Sequence, residues 1–201
     1  MTGRKRVAIL ISGRGSNMAA LIEAAKADGY PAEIVGVFSN KADAAGLDFA
    51  RTNGIPTASR SHKDFASRQE FDAAIDAILG DWKVDIVCLA GFMRIFSEWF
   101  AERWTGRMLN IHPSLLPAFK GLHPHQQALD AGVSMHGCTV HWVIPALDDG
   151  PAILSAEVPI LPSDTADTLA ARVLVEEHKL YPQALALVAR GEAVLPSHHG
   201  N

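Results

Sequence analysis

Residues 4–11 end in an unbroken apolar run, Val-Ala-Ile-Leu-Ile, and open directly onto Ser-Gly-Arg-Gly-Ser-Asn at 12–17. A strand without a polar side must be covered on both faces, and that is the situation of a strand in a parallel α/β sheet. Met18, Leu21, Ile22 and Ala25 then recur at helical spacing toward Asp28-Gly29, which places Ser16 or Asn17 where an N-cap is expected. Glycine lets backbone approach a ligand closely, and the free N–H groups at a helix start favour an anion. The unit reads as a phosphate cradle or as a structural tight turn with a capped helix. Met18 stands where a dinucleotide fingerprint needs glycine, and no Gly-Lys-Ser/Thr marks a nucleoside triphosphate loop.

The alternation continues. Residues 33–38 predict a second strand, 42–52 a helix stopped by Asn53-Gly54, and 55–58 a short third strand. Phe71, Ile75, Ile78 and Leu79 mark an amphipathic helix from Ser67 to Gly80. Arg68 falls in its first turn, where a cation opposes the helix dipole unless an anion meets it, so the pattern alone favours a solvated surface position. Residues 84–90 form the most apolar strand. The connection after it, Gly-Phe-Met-Arg-Ile-Phe at 91–96, is hydrophobic for a loop, which points either to packing beneath the next helix or to the wall of a pocket for a flat organic ligand. Ser97 caps a short helix with Trp99 and Phe100.

The segment Met-Leu-Asn-Ile-His-Pro-Ser-Leu-Leu-Pro at 108–117 carries the polar chemistry. Side chains alternate along a strand, so Asn110 and His112 share one face while Leu109 and Ile111 fill the other. Pro113 cannot donate to a ladder, so the strand ends as the two polar groups reach its carboxyl edge, where open α/β sheets bind ligands. A turn-capping Asn and a satisfied half-buried His remain the bland alternative. The fold must turn sharply at Leu116-Pro117, and a cis peptide is expected there.

Beyond this, 118–124 reads as a loop, 125–130 as a helix, and 136–144 as a long strand with Gly137, Thr139 and His141 on one face. Pro145 breaks it. Ala-Leu-Asp-Asp-Gly-Pro at 146–151 is a tight acidic turn to a strand at 152–158, a hairpin whose tip can bring Asp148 and Asp149 to His112. Asp164-Thr165 starts a long helix through about 189 with Glu176, Glu177 and His178 at its middle, and Tyr181-Pro182 is expected to kink or restart it.

Length and composition bound the rest. The 201 residues, 48 % apolar and 20 % charged, fit one domain, and a formal charge of −4 supplies no general attraction for nucleic acid or anionic membranes. The basic residues 2–6 precede an apolar run too short for a signal peptide or a membrane span, so a soluble cytoplasmic chain is expected. Cys88 and Cys138 lie in apolar runs and read as buried free thiols. Among the nine histidines, His123, His125, His136 and His141 cluster in sequence, but no Cys, Asp or Glu completes a zinc set, and no metal is expected. His198 and His199 belong to a polar tail.

No nucleophile accompanies these parts. An Asn donor, a His and a supporting Asp suit stabilisation of an oxyanion and proton movement when the nucleophile belongs to the substrate. Ile-Ser-Gly-Arg-Gly-Ser-Asn at 11–17, Phe-Ser-Asn-Lys-Ala-Asp at 38–43, Leu-Ala-Gly-Phe-Met-Arg at 89–94, Asn-Ile-His-Pro-Ser-Leu-Leu-Pro at 110–117 and Leu-Asp-Asp-Gly-Pro at 147–151 carry a resemblance over essentially the whole length. The chain resembles the phosphoribosylglycinamide formyltransferases, folate-dependent enzymes of purine synthesis. The resemblance implies a single-domain Rossmann-like formyltransferase fold over 1–201: α/β, with a mostly parallel central sheet, helices on both faces and an antiparallel C-terminal portion. Within it, a phosphate-binding half would run to about 105, a catalytic and folate half from about 106 to 190, and a tail from 191.

It also implies roles. Asn110 would donate to the oxyanion, and His112, as imidazolium, would stabilise it and protonate the departing folate nitrogen. Asp148 would favour the charged ring and help relay a proton from the attacking amine. Gly15, Ser16 and Asn17 would hold the ribose phosphate, and Glu177 would contact the glycinamide. Met93, Arg94, Ile95 and Phe96, with the turn at 144–148 and Asn110, would enclose the folate, and Arg68 would meet its glutamate carboxylate, contrary to the surface reading of that residue. The co-substrate would be 10-formyltetrahydrofolate, the partners small molecules only, and the chain a monomer or homodimer.

The chain departs from the family pattern at Asp149, where many members have glycine, and at Pro145 and Ala146, where polar residues are usual. Other readings differ in what they need. A formyltetrahydrofolate hydrolase or a methionyl-tRNA formyltransferase carries a further domain, a non-enzymatic nucleotide-binding module has no use for Asn110, His112 and Asp148, and a dehydrogenase needs the missing glycine.

Overall fold

The computed structural model describes residues 3–196. His198 and His199, assigned above to a tail, lie outside the described residues. Among these residues, seven strands form one sheet: β1 (Lys5–Ile11), β2 (Ala32–Ser39), β3 (Thr57–Ser59), β4 (Ile86–Leu89), β5 (Met108–His112), β6 (Met135–Trp142) and β7 (Ala152–Pro159). Their order is β3-β2-β1-β4-β5-β6-β7. The first five pair in parallel, and β6 and β7 add antiparallel to β5 and to each other. The expected α/β architecture with its antiparallel C-terminal portion is therefore the observed one.

Among the described residues, six α-helices accompany these strands: α1 (Ser16–Ala25), α2 (Ala45–Thr52), α3 (Arg68–Asp81), α4 (Glu98–Arg103), α5 (Pro124–Asp130) and, after β7, α6 (Ala166–Arg190). The absence of a polar face on β1 explains the layering. Val7, Ile9 and Ile11 point to one side, where they pack with Met18, Leu21, Leu47, Tyr181 and Leu185 of α1, α2 and α6. Ala8 and Leu10 point to the other, against Phe71, Ile75 and Leu79 of α3 and Phe100 of α4. Each of these side chains is essentially excluded from water, and each contributes about 1.5–3 kcal/mol relative to exposure for a Val, Leu, Ile or Phe. The Tyr181 hydroxyl lies 2.9 Å from the Leu89 carbonyl and 3.2 Å from that of Leu109, tying α6 to the carboxyl end of β4 and to the start of β5.

Three local expectations are corrected. Neither Ser16 nor Asn17 caps α1; the cap position is Gly15 at φ 71°, a left-handed conformation that glycine adopts without the Cβ penalty, and the helix begins at Ser16. The helix predicted over 42–52 starts at Ala45, with the residues before it in a turn. Helix α6 neither ends nor restarts at Pro182, since Leu180, Tyr181, Ala184 and Leu185 are buried on either side of it and packing holds the helix across the one lost donor. Ser97 does cap α4, accepting from Phe100 N–H, and the Leu116-Pro117 peptide is cis. A 3-10 turn at His62–Asp64 carries no periodic signal and was not anticipated. No helix among the described residues is long and apolar enough to cross a membrane.

Candidate active site

Strands β1, β4 and β5 deliver their carboxyl ends side by side, and the loops that leave them form the candidate site. Asn110 and His112 project from the same face of β5 as expected. The β5–β6 register sets Asn110 opposite His141 and His112 opposite Thr139. The turn between β6 and β7 brings Asp148 over this pair. Asp148 Oδ2 lies 3.5 Å from His112 Nδ1, and Asp148 Oδ1 lies 3.9 Å from His141 Nε2. All three side chains are buried.

Backbone groups hold both His112 and Asp148 in place. His112 Nε2 is 3.0 Å from the Phe119 carbonyl, which can only accept, so that nitrogen carries a proton and Nδ1 is left facing Asp148. When His112 is protonated, the two side chains form a buried ion pair. Asp148 Oδ2 also accepts from Gly121 N–H at 3.0 Å. Asp148 itself sits at φ 49°, a left-handed conformation that Asp tolerates better than most residues and that turns its carboxylate inward. Asp149, next along, turns outward into an ion pair with Lys120, whose ammonium holds the Asp149 carboxyl below its ordinary value. The two adjacent acids therefore occupy separate environments.

Thr139 supports the segment after β5. Its hydroxyl donates to the Ser114 carbonyl at 2.8 Å and accepts from Leu116 N–H at 3.1 Å, while Ser114 Oγ donates to the Ala118 carbonyl at 2.6 Å. The sharp turn at 113–118 is thus held from inside, which keeps Phe119 within reach of His112.

The glycine-rich loop lies beside this cluster. Asn17 donates through Nδ2 to Glu177 Oε2 at 2.7 Å, and both residues are buried. Burial raises the Glu177 pKa above its ordinary value, with the Asn17 amide opposing. Asn17 Oδ1 is buried without a partner. Helix α6 thereby carries Glu177 to the first turn of α1, joining residues 160 apart in sequence that were assigned to the phosphate and the glycinamide ends of one substrate.

The apolar loop after β4 divides between the two uses its composition allowed. Phe92 and Phe96 stack on one another at 5.2 Å, and Phe96 stacks on Phe100 at 4.3 Å, so those rings pack beneath α4. Met93 and Ile95 point out, 70 % and 54 % exposed, and form an open apolar surface at the sheet edge. Of the four loop residues assigned to the folate, Phe96 therefore has its ring in the packed layer. Met93 N–H donates to Ser12 Oγ at 2.8 Å, and Ser12 donates to Asn40 Oδ1 at 2.6 Å, which ties the apolar loop to the glycine-rich one. Arg68 is exposed at the first turn of α3, and its charge, with that of Arg94, bears on Asp72, which burial raises and the Ser97 contacts oppose.

His125 Nδ1 lies 3.2 Å from His136 Nε2, beneath the loop at 118–124. The other histidines that suggested metal do not join them, and no group of three or more His, Cys, Asp or Glu among the described residues is placed to hold an ion. The residue that sequence reading underused is His141. Its alternation with Gly137 and Thr139 was legible, but its pairing with Asn110 depends on the β5–β6 register, which the sequence does not print.

Comparisons with known proteins identify the relatives of the chain as a whole. The family model described as "Formyl transferase" matches residues 5–185. The phosphoribosylglycinamide formyltransferase of Escherichia coli is 46 % identical over 185 residues, covering 92 % of this chain and 87 % of that protein. The human trifunctional purine biosynthetic protein adenosine-3 is 53 % identical over 192 residues, 96 % of this chain; the chain spans only 19 % of that relative's length. The crystal structure of phosphoribosylglycinamide formyltransferase from Brucella melitensis superposes with a TM-score of 0.90 at 56 % identity, covering 96 % of this chain and all of that one. This chain belongs to the formyl transferase family.

Proposed function

We propose that the chain transfers the formyl group of 10-formyltetrahydrofolate to the amine of 5'-phosphoribosylglycinamide, giving 5'-phosphoribosyl-N-formylglycinamide and tetrahydrofolate, a step of purine synthesis. The observation that carries this reading is the buried Asp148 carboxylate 3.5 Å from His112 Nδ1, with Asn110 on the same strand face and no protein nucleophile among them. Relatives of this length named for the same reaction support it.

The roles follow from the chemistry. Attack of the substrate amine on the formyl carbon puts a negative charge on the former carbonyl oxygen. An Asn110 N–H and the His112 imidazolium are preorganised to meet that charge, His112 buried and Asn110 half-buried beside it, and Asp148 supplies the counter-charge that a buried imidazolium needs. His112 then gives its proton to the departing folate nitrogen, and Asp148, through water, takes the proton released by the amine. In this structure the Phe119 carbonyl occupies His112 Nε2, so the loop that carries it must yield when a ligand takes its place.

Substrate assignments rest on the same placement. Gly15, Ser16 and Asn17 hold the phosphate at the start of α1, with Glu177 reading the glycinamide end. Met93, Arg94 and Ile95, the backbone at Phe96, and Asn110 hold the folate with the turn at 144–148, and Arg68 meets its carboxylate. The division into a phosphate-binding half to about 105 and a catalytic half beyond it is part of the same reading. The partners are these two small molecules, taken up by a monomer or homodimer in the cytoplasm. Cys88 and Cys138, free and buried, fit that reducing compartment, and burial pushes both thiols up to about 12.

The test is absorbance of the folate product when the chain is mixed with 10-formyltetrahydrofolate, with and without the ribonucleotide, beside a His112→Ala control. Deformylation that needs the ribonucleotide and collapses in the variant is expected. Deformylation without it would instead identify a hydrolase.

A further inference from the structure

We propose that His141 is a positioning residue that holds the Asn110 side-chain amide in its donating orientation; the assignment rests on the formyl-transfer reading of the site. His141 is 2 % exposed and stands opposite Asn110 in the β5–β6 register. Its Nδ1 lies 2.9 Å from the Trp142 carbonyl, which can only accept, so Nδ1 carries a proton. In the neutral ring Nε2 is then a bare lone pair, and it lies 3.2 Å from Asn110 Nδ2. The reversed amide would set Oδ1 against that lone pair, two acceptors face to face. The ring therefore selects one of two amide orientations that the strand alone leaves open, and the second Nδ2–H remains free for a developing oxyanion.

Two features of the backbone serve the same end. The β6–β7 pairing is irregular between Val140 and His141, the kind of break that re-aims a side chain toward a site. Gly150 lies so close that a Cβ there would come within 1.7 Å of the Trp142 oxygen and 3.5 Å of His141 Nδ1. The turn bearing Asp148 thus closes directly over the carbonyl that orients the ring.

The charge state of His141 then matters. The groups facing it are Asp148 from the turn and His112 from β5. Burial holds its pKa below the ordinary value, the Trp142 carbonyl and Asp148 oppose this, and His112 reinforces it, so the ring is neutral at neutral pH. Protonated, Nε2 turns from acceptor to donor. It loses Asn110 Nδ2 as a partner and faces Asp148 Oδ1, 3.9 Å away, the carboxylate oxygen turned from His112.

The experiment measures kcat and KM from pH 5 to 9 for wild type, His141→Gln, His141→Asn and His141→Ala, with a 15N NMR reading of the histidine tautomers in the wild-type chain. Gln places an acceptor where Nε2 stood and cannot be protonated; Asn keeps only the bond to Trp142. We expect kcat to fall by about 10- to 100-fold in the Asn and Ala variants with ribonucleotide KM little changed, less than removing an oxyanion donor costs. His141→Gln is expected to fall by no more than about 5-fold and to lose the component of the acid limb that belongs to His141. The NMR reading, which needs no turnover, is expected to show Nδ1–H and a bare Nε2. Equal losses in all three variants, no loss in any, or the opposite tautomer overturns the positioning role. Absence of transfer by wild type with the expected tautomer overturns the formyl-transfer reading instead.

Discussion

Asp148 and Asp149 are neighbours in sequence and face opposite ways: Asp148 is buried 3.5 Å from His112, and Asp149 is exposed in an ion pair with Lys120. The left-handed φ of Asp148 produces the divergence by turning one carboxylate under the turn and leaving the next on top of it. A second acid beside the site therefore adds nothing to the buried cluster.

The first prediction tests that separation. Asp148→Asn keeps the shape and removes the charge facing His112, and kcat is expected to fall on the order of 10²–10⁴-fold. Asp149→Asn removes an exposed ion pair and should leave kcat within about 3-fold. Steady-state rates at saturating substrates decide it, and comparable losses in the two variants would show that the acids share one role.

Glu177 and Asn17 are expected to act as a unit. Asn17→Ala leaves a buried carboxylate without its amide donor, a loss of about 1–3 kcal/mol in stability, read from urea unfolding. Because the Glu177 pKa is raised in the folded chain, its burial penalty is absent at low pH and grows as pH climbs through the raised value. The Asn17→Ala deficit should accordingly be larger at pH 8 than at pH 4. A deficit independent of pH would mean that the amide does not serve the ionised acid.

The His125–His136 contact gives the opposite dependence. Burial, helped by the neighbouring imidazoles of His136 and His112, pushes the His125 pKa down to about 4 from its ordinary 6.5. The unfolded chain then binds more protons than the folded one between these values, so stability is lost as pH falls from 6.5 toward 4. Urea midpoints for His125→Gln should show a shallower fall over that window than wild type; identical curves would assign the acid loss elsewhere.

Much of the fold was legible because each signal was local. The unbroken run of β1, the cap at Ser97 and the alternation of Asn110 and His112 depend on neighbours a few residues away. What was misread depended on distant partners. Asn17 looked like a cap, but its amide is claimed by Glu177 across 160 residues, and Gly15 takes the cap position. Pro182 was expected to kink or restart α6, but buried neighbours on either side keep the helix continuous across it. His141 was legible as a strand residue sharing a face with Gly137 and Thr139, but only the β5–β6 register pairs it with Asn110. The split of the 91–96 loop into packed rings and exposed Met93 and Ile95 likewise follows from where α4 lies, not from the composition of the loop.

The most direct measurement of the central claim is mass spectrometry of the ribonucleotide after incubation with folate carrying a 13C-labelled formyl group. The account predicts that the label appears on the ribonucleotide amine with wild type and is lost with His112→Ala, while circular dichroism shows the fold retained. Labelled formate with an unchanged ribonucleotide, or transfer that survives the loss of His112, would contradict it.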